Sequence, residues 1–140
     1  MPRRMRVREL MSTELVTLTE EDTLAHAERC MALGRIRHLP VVRGNRLVGL
    51  VTHRDLLAAS FSVFAEVESD EQRRVFVAVP VVDLMHRDVV TVGPDLSVAE
   101  AAHVLLDNKF GCLPVVGERG ELLGIVTEAD FLRLTVRLLG

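Results

Sequence analysis

The chain has 140 residues, 49% of them apolar and 26% charged, with a net charge of −3. That is long enough for one globular domain or two small halves sharing a core, and too weakly charged to mark a nucleic-acid or membrane surface. No apolar run approaches the roughly 20 residues that span a bilayer.

The basic start, Met1-Pro2-Arg3-Arg4-Met5-Arg6, runs into Val7-Arg8-Glu9 rather than an apolar stretch, so it reads as a solvated tail and not a secretory signal. A short extended piece around Val16 to Leu18 follows. Leu24, Ala27 and Met31 then mark one face of a helix, with Gly34 placed to end it. Two apolar, β-branched runs, Leu39 to Val42 and Leu47 to Val51, flank the polar turn Arg43 to Arg46 and predict a β-hairpin. A second helix starts at Thr52. Ser60 to Val79 carries two apolar stretches (Phe61, Val63 and Phe64; Val75 to Val79) around a polar turn, Glu66 to Gln72, and reads as a helix tail and connecting segment. Phe76 is expected to lie against the body or a second subunit.

The chain then repeats itself. Leu10-Met11 recurs 74 positions later as Leu84-Met85, Val16-Thr17 as Val90-Thr91, and Leu39-Pro40-Val41-Val42 as Leu113-Pro114-Val115-Val116. One inserted residue, in the turn Gly117 to Glu121, shifts the offset to 75. Gly49-Leu50-Val51-Thr52 then becomes Gly124-Ile125-Val126-Thr127, and Asp55 becomes Asp130. The second-copy helix opens with Ser97-Val98-Ala99-Glu100, a capping-box pattern, and Val98, Ala101, Ala102, Leu105 and Leu106 follow helical spacing. Each copy is a β-α-β-β-α unit. Neither buries enough surface alone, which predicts an α/β (α+β) fold of two repeats packed sheet to sheet. The division is 1–60 for the first repeat, 61–80 for the connection and 81–140 for the second. Cys30 and Cys112 lie in apolar surroundings without metal-ligand spacing and read as buried structural thiols of a reduced, cytoplasmic protein.

Gly49-Leu50-Val51-Thr52-His53-Arg54-Asp55 and Gly124-Ile125-Val126-Thr127-Glu128-Ala129-Asp130 carry the chemistry. Thr-x-x-Asp at a strand-to-helix junction is a helix cap in its own right. The same geometry presents open backbone N–H groups and a threonine hydroxyl to a phosphate, and a carboxylate to the vicinal hydroxyls of a ribose.

With its Val-x-x-Leu-Met starts (Val7 to Met11; Val81 to Met85), its Leu-Pro-Val-Val strands and these closing motifs, the chain resembles a tandem pair of CBS domains, the repeats of cystathionine β-synthase, over residues 7 to 137. The resemblance implies a stand-alone pair with pseudo-two-fold symmetry, dimerising into a disc and binding adenosine-containing ligands in clefts between repeats. It implies that Asp55 and Asp130 hold the ribose, with Thr52 and Thr127 near the ribose or α-phosphate. Thr17 and Thr91, with His38, Leu39, Pro40 and Val41 and with Cys112, Leu113, Pro114 and Val115, would line the adenine pockets through backbone hydrogen bonds and aliphatic contact. Arg35, Arg37, His38, His53 and Arg54 form a cluster suited to phosphates. The matching positions are Lys109, itself a phosphate candidate, Gly111, Cys112, Glu128 and Ala129, so one phosphate-tolerant and one weak or adenosine-like site are expected.

The five histidines, at 26, 38, 53, 86 and 103, form no metal-ligand set, and no nucleophile elbow or phosphate-binding Gly-rich loop occurs. Asp55 and Asp130 are conceivable as an acid–base pair but are expected to be engaged by capping or ribose, so catalysis is not expected. The expected function is a regulatory module for AMP, ADP, ATP or S-adenosylmethionine, without a prosthetic group, signalling to an unidentified protein. Apolar positions on the last helix of each repeat (Leu56, Leu57, Phe61; Phe131, Leu134, Leu138) suggest a homodimer. Two alternatives stand: a structural dimerisation module with empty clefts, and nucleic-acid binding through the arginine-rich start and the first-repeat basic cluster.

Overall fold

The structure, a computed structural model, describes residues 4–64, 70, 71, 74 and 78–140, with the side chains of 60–64 excepted. The first three residues, the side chains of Phe61, Val63 and Phe64, Phe76, and most of the segments expected at 66–72 and 75–79 lie outside the described residues.

Both hairpins form where the alternating apolar runs predict them. β1 (His38–Arg43) and β2 (Arg46–Thr52) pair antiparallel, with His38 opposite Thr52 and Arg43 opposite Arg46. Gly44 takes a φ of 64° in the intervening two-residue turn, a conformation that costs glycine little. β3 (Cys112–Val116) and β4 (Leu122–Thr127) repeat the arrangement, with Cys112 opposite Thr127. The register shifts at equivalent places, between Val41 and Val42 and between Val115 and Val116.

The extended pieces ahead of each hairpin are reduced to single parallel bridges. Leu18 donates to the Pro40 carbonyl (2.9 Å) and accepts from Val42 N–H (2.8 Å). Val92 does the same with Pro114 (3.1 Å) and Val116 (2.9 Å). On the far edge of β2, Leu50 and His86 exchange two backbone hydrogen bonds of 2.9 Å, and on β4 Ser12 and Ile125 exchange a matching pair of 2.9 and 3.0 Å. An edge strand left open is a liability for aggregation, and these short segments cover it.

Among the described residues, the helices with defined bounds are α1 (Val7–Leu10), α2 (Leu24–Gly34), α3 (His53–Phe64), α4 (Val98–Asp107) and α5 (Glu128–Leu139), with a 3₁₀ turn at Val81–Asp83. Thr23 caps α2 by accepting from His26 N–H (3.3 Å), and Ser97 caps α4 by accepting from Glu100 N–H (3.1 Å), which is the serine half of the expected box. Two local expectations need correcting. Gly34 is the last residue of α2, but the left-handed residue that stops the helix is Arg35, at φ 52° and ψ 42°. Leu106, expected on the apolar face of α4, is exposed, while Val98, Ala101 and Leu105 are buried.

Two compact units result, and they do not follow the repeat starts: Val16–Val89 forms one, and Val90–Gly140 with the residues up to Leu15 forms the other. Each Val-x-x-Leu-Met segment therefore packs on the hairpin of the other repeat. The core of the first unit is built from Leu18, Leu24, Ala27, Met31, Leu39, Val41, Val51, Leu56, Val81 and Met85. That of the second is built from Val7, Val92, Ala101, Leu105, Leu113, Val115 and Val126. Gly49 and Gly124 lie where these segments pass close to the strands. A Cβ on Gly49 would lie 2.5 Å from Met85 Sδ, and one on Gly124 would lie 2.7 Å from Met11 Sδ and 2.8 Å from the Ser12 carbonyl. The glycine that opens each Gly-h-h-Thr-x-x-Asp motif is thus a packing residue. No described helix is long and apolar enough to cross a membrane.

Candidate ligand-binding site

The site residues follow from the way β2 ends. Thr52 closes the strand and caps α3, and Asp55 sits in the first turn. Asp55 Oδ2 accepts from Thr52 N–H (2.9 Å) and from Thr52 Oγ1 (2.7 Å), while Asp55 N–H donates to Thr52 Oγ1 (3.3 Å). At the same turn, His53 N–H donates to the Arg37 carbonyl (2.8 Å). Arg54 N–H has no such partner among the described residues and remains open as a backbone donor at the positive end of the helix. In the second unit Thr127 and Asp130 form the same reciprocal box on α5. Asp130 Oδ2 accepts from Thr127 N–H at 2.9 Å, and the Thr127 hydroxyl stands at 3.5 Å. Glu128 N–H reaches the Gly111 carbonyl at 3.4 Å.

The other oxygen of each aspartate has a partner that the motif does not reveal. Asp55 Oδ1 accepts from His86 Nε2 at 2.8 Å, whereas Asp130 Oδ1 accepts from Arg133 Nη1 at 3.0 Å. Sequence reasoning missed both. A readable trace exists: 74 positions separate His86 from Ser12, so the repeats differ just after their shared Leu-Met.

The side chains of Leu39, Val41, Leu113 and Val115 are buried in the two cores, and Pro40 and Pro114 are buried too. The Pro40 and Pro114 carbonyls are taken by Leu18 and Val92, and the Cys112 carbonyl accepts from Asn108 Nδ2 at 2.6 Å. Thr17 and Thr91 are exposed, next to the bridging Leu18 and Val92.

Of the basic cluster, Arg35, Arg37 and His53 line one open cleft of about 500 Å³ between α2 and α3, with Glu28, Met31 and Leu57 also on its wall. His38 and Arg54 do not line it, and neither do Thr52 and Asp55. Arg35 holds its left-handed backbone where glycine would be easier, at a cost of order 1–2 kcal/mol. The second repeat ends its helix differently: Asn108 is extended, and the positive φ, 75°, falls on Gly111, the counterpart of Arg37. Lys109 and Glu128 are exposed.

Both cysteines are free thiols. Cys112 is buried, and burial pushes its pKa up to about 12. Cys30 is only half-buried, with Sγ 3.6 Å from His26 Nε2 one helical turn away, so the expectation of a buried thiol needs correcting there. No group of three or more His, Cys, Asp or Glu side chains among the described residues is placed to hold a metal.

Comparison with known proteins agrees with this architecture. The CBS domain family model matches twice, over residues 7–62 and 78–137. A CBS domain-containing protein of Dictyostelium discoideum is 33% identical over 95% of this chain and 92% of its own length. Inosine-5'-monophosphate dehydrogenase of Korarchaeum cryptofilum is 38% identical over 84% of this chain, but the match spans only 21% of that enzyme. Among solved structures, CBSX2 of Arabidopsis thaliana in complex with AMP superposes with a TM-score of 0.80 at 28% identity, covering 97% of this chain and 99% of that one. With two family matches that between them cover most of its length, and a hairpin, helix cap and bridging segment built the same way in each unit, the chain belongs to the CBS domain family.

Proposed function

We propose that the chain is a regulatory module that binds an adenosine-containing nucleotide and is not itself an enzyme. The observation that carries this reading is the doubled Thr-x-x-Asp helix start, which twice puts a carboxylate and a threonine hydroxyl at the end of a strand. Asp55 and Asp130 would take the ribose hydroxyls, with Thr52 and Thr127 beside them. The likeness to CBSX2, crystallised with AMP, supports an adenine ligand. Arg35, Arg37 and His53 would face the phosphates. The strained backbone of Arg35 supports that role, because strain is retained where a side chain is needed in place. Thr17, Thr91, His38 and Cys112 would border the base, with Arg54, through its open N–H, on the phosphate side.

The ligand would be AMP, ADP, ATP or S-adenosylmethionine, exchanging freely rather than residing as a prosthetic group. Its binding would favour one arrangement of a homodimer and so signal to a partner protein in the cytoplasm. Exposed Leu57, Leu132, Val136 and Leu138 support the dimer. A second reading, a structural module with helix caps and empty clefts, is favoured by the engagement of both aspartates in hydrogen bonds within their own units.

Thermal-shift titration with adenosine, AMP, ATP and S-adenosylmethionine separates the two. A ligand that binds only the native state raises Tm once its concentration exceeds Kd, by an amount equivalent to about 2.7 kcal/mol at a hundredfold excess. A saturable rise with at least one of them is expected; no rise with any leaves the structural reading.

A further inference from the structure

The two aspartates have the same motif but not the same spare capacity. A carboxylate has about four acceptor positions. On Asp55 three are filled: two at Oδ2 by Thr52 (2.9 and 2.7 Å) and one at Oδ1 by His86 Nε2 (2.8 Å). On Asp130 the Thr127 N–H bond (2.9 Å) is firm, the Thr127 hydroxyl is at the 3.5 Å limit, and the third donor is Arg133 at 3.0 Å.

The outer donors also differ in how easily they leave. Arg133 projects from the same helix as Asp130 and its side chain is 74% exposed, so its guanidinium can swing into water at little cost. His86 cannot. Its backbone is fixed by the paired hydrogen bonds with Leu50, it follows the buried Met85, and its short side chain has only two torsions.

Resting on the nucleotide reading above, we propose that His86 is a specificity-determining residue. It holds Asp55 Oδ1 more persistently than Arg133 holds Asp130 Oδ1, so that Asp55 accepts one hydroxyl of a vicinal diol, whereas Asp130 can accept both. The Asp55 site then recognises a ribose and a deoxyribose almost equally, and the Asp130 site demands the full diol. Both halves of the asymmetry are written in the repeat: His86 stands where the other copy has Ser12, and Arg133 stands where the first copy has Ala58.

The test is calorimetric titration with adenosine and with 2'-deoxyadenosine, each site being isolated by the substitution of the other aspartate. With Asp130→Asn, the protein should prefer adenosine by no more than about twofold. Adding His86→Ser, the residue the other repeat carries and its fold accommodates, should raise the preference to about tenfold, the worth of one hydrogen bond to a charged group. His86→Gln, which keeps an N–H donor, should leave the preference low. With Asp55→Asn, the preference should already be about tenfold and should survive Arg133→Ala. An unchanged ratio in His86→Ser, or equal ratios at the two isolated sites, overturns the proposal while leaving nucleotide binding intact. Absence of any heat with adenosine, in the unsubstituted protein as well, overturns both readings together.

Discussion

Replacing Gly124 by alanine should destabilise the protein markedly more than replacing Gly49, although the two glycines hold equivalent places. A Cβ on Gly49 meets Met85 Sδ at 2.5 Å and Met85 Cγ at 2.9 Å, with the His86 carbonyl at 3.0 Å. The main obstacle is a flexible thioether that can turn aside. A Cβ on Gly124 meets Met11 Sδ at 2.7 Å and also the Ser12 carbonyl at 2.8 Å. That oxygen is held by its hydrogen bond from Ile125 N–H (3.0 Å) and cannot retreat without opening the β4 edge. Overpacking costs about 1–3 kcal/mol, so Gly49→Ala belongs near 1 kcal/mol and Gly124→Ala near 3 kcal/mol. At about 3 °C per kcal/mol for a chain of this size, the falls in Tm are about 3 °C and about 9 °C. Urea denaturation of the two single variants, and of each combined with its methionine partner, checks the mechanism. In a Met85→Ala background the cost of Gly49→Ala should fall, leaving only the contact with the His86 carbonyl at 3.0 Å. In a Met11→Ala background most of the cost of Gly124→Ala should persist. Equal costs for the two glycines, or full rescue of Gly124→Ala by Met11→Ala, would refute the reasoning.

Cys112 should resist thiol reagents in the folded state at pH 8, with half-buried Cys30 alkylated first, as peptide mass mapping would reveal. The raised pKa also sets a sign. The folded state disfavours the thiolate, so stability is full below the unfolded value of 9.0 and declines until pH passes about 12. Relative to Cys112→Ala, the protein should lose about 1.4 kcal/mol per pH unit in that window, measurable by denaturant titration at pH 8 and 10. Arg35→Gly should raise stability by up to about 1 kcal/mol by relieving the left-handed backbone, while weakening any phosphate-bearing ligand more than adenosine. Parallel melting curves and ligand titrations separate the two effects. Thr127→Ala removes a reciprocal cap and should cost about 1 kcal/mol in the same melting assay.

What the residues disclosed by themselves was local. Alternating apolar runs around Gly44-Asn45 determine a hairpin, and threonine and aspartate three apart determine a helix start, because each involves neighbours in the chain. The repeat offset carried this information from one copy to the other. The features that stayed hidden join distant positions. Nothing in the local pattern around Leu84-Met85 says that it covers the edge of β2, and the His86–Asp55 bond links residues 31 positions apart. Arg35 illustrates a different failure. Gly34 supplies the expected signal for a helix end, yet the left-handed conformation falls one residue later, on a side chain that lines the cleft. The strand residues were rightly placed in β1 and β3, while their role at the ligand rests on the resemblance alone. Periodicity tells which residues alternate, whereas the structure adds that Leu39 and Val41 are buried in the core of the first unit.

The most direct measurement of the central claim is isothermal titration of AMP into the unsubstituted protein and into the Asp55→Asn/Asp130→Asn double variant. Asparagine retains the size and much of the capping capacity of aspartate but loses the charge and one acceptor oxygen. Saturable binding by the unsubstituted protein, weakened at least about tenfold in a double variant that still melts cooperatively, is the predicted result. The same affinity in both proteins would contradict the assignment of the two aspartates to the ribose, and no binding by either would leave Thr-x-x-Asp as a helix cap alone.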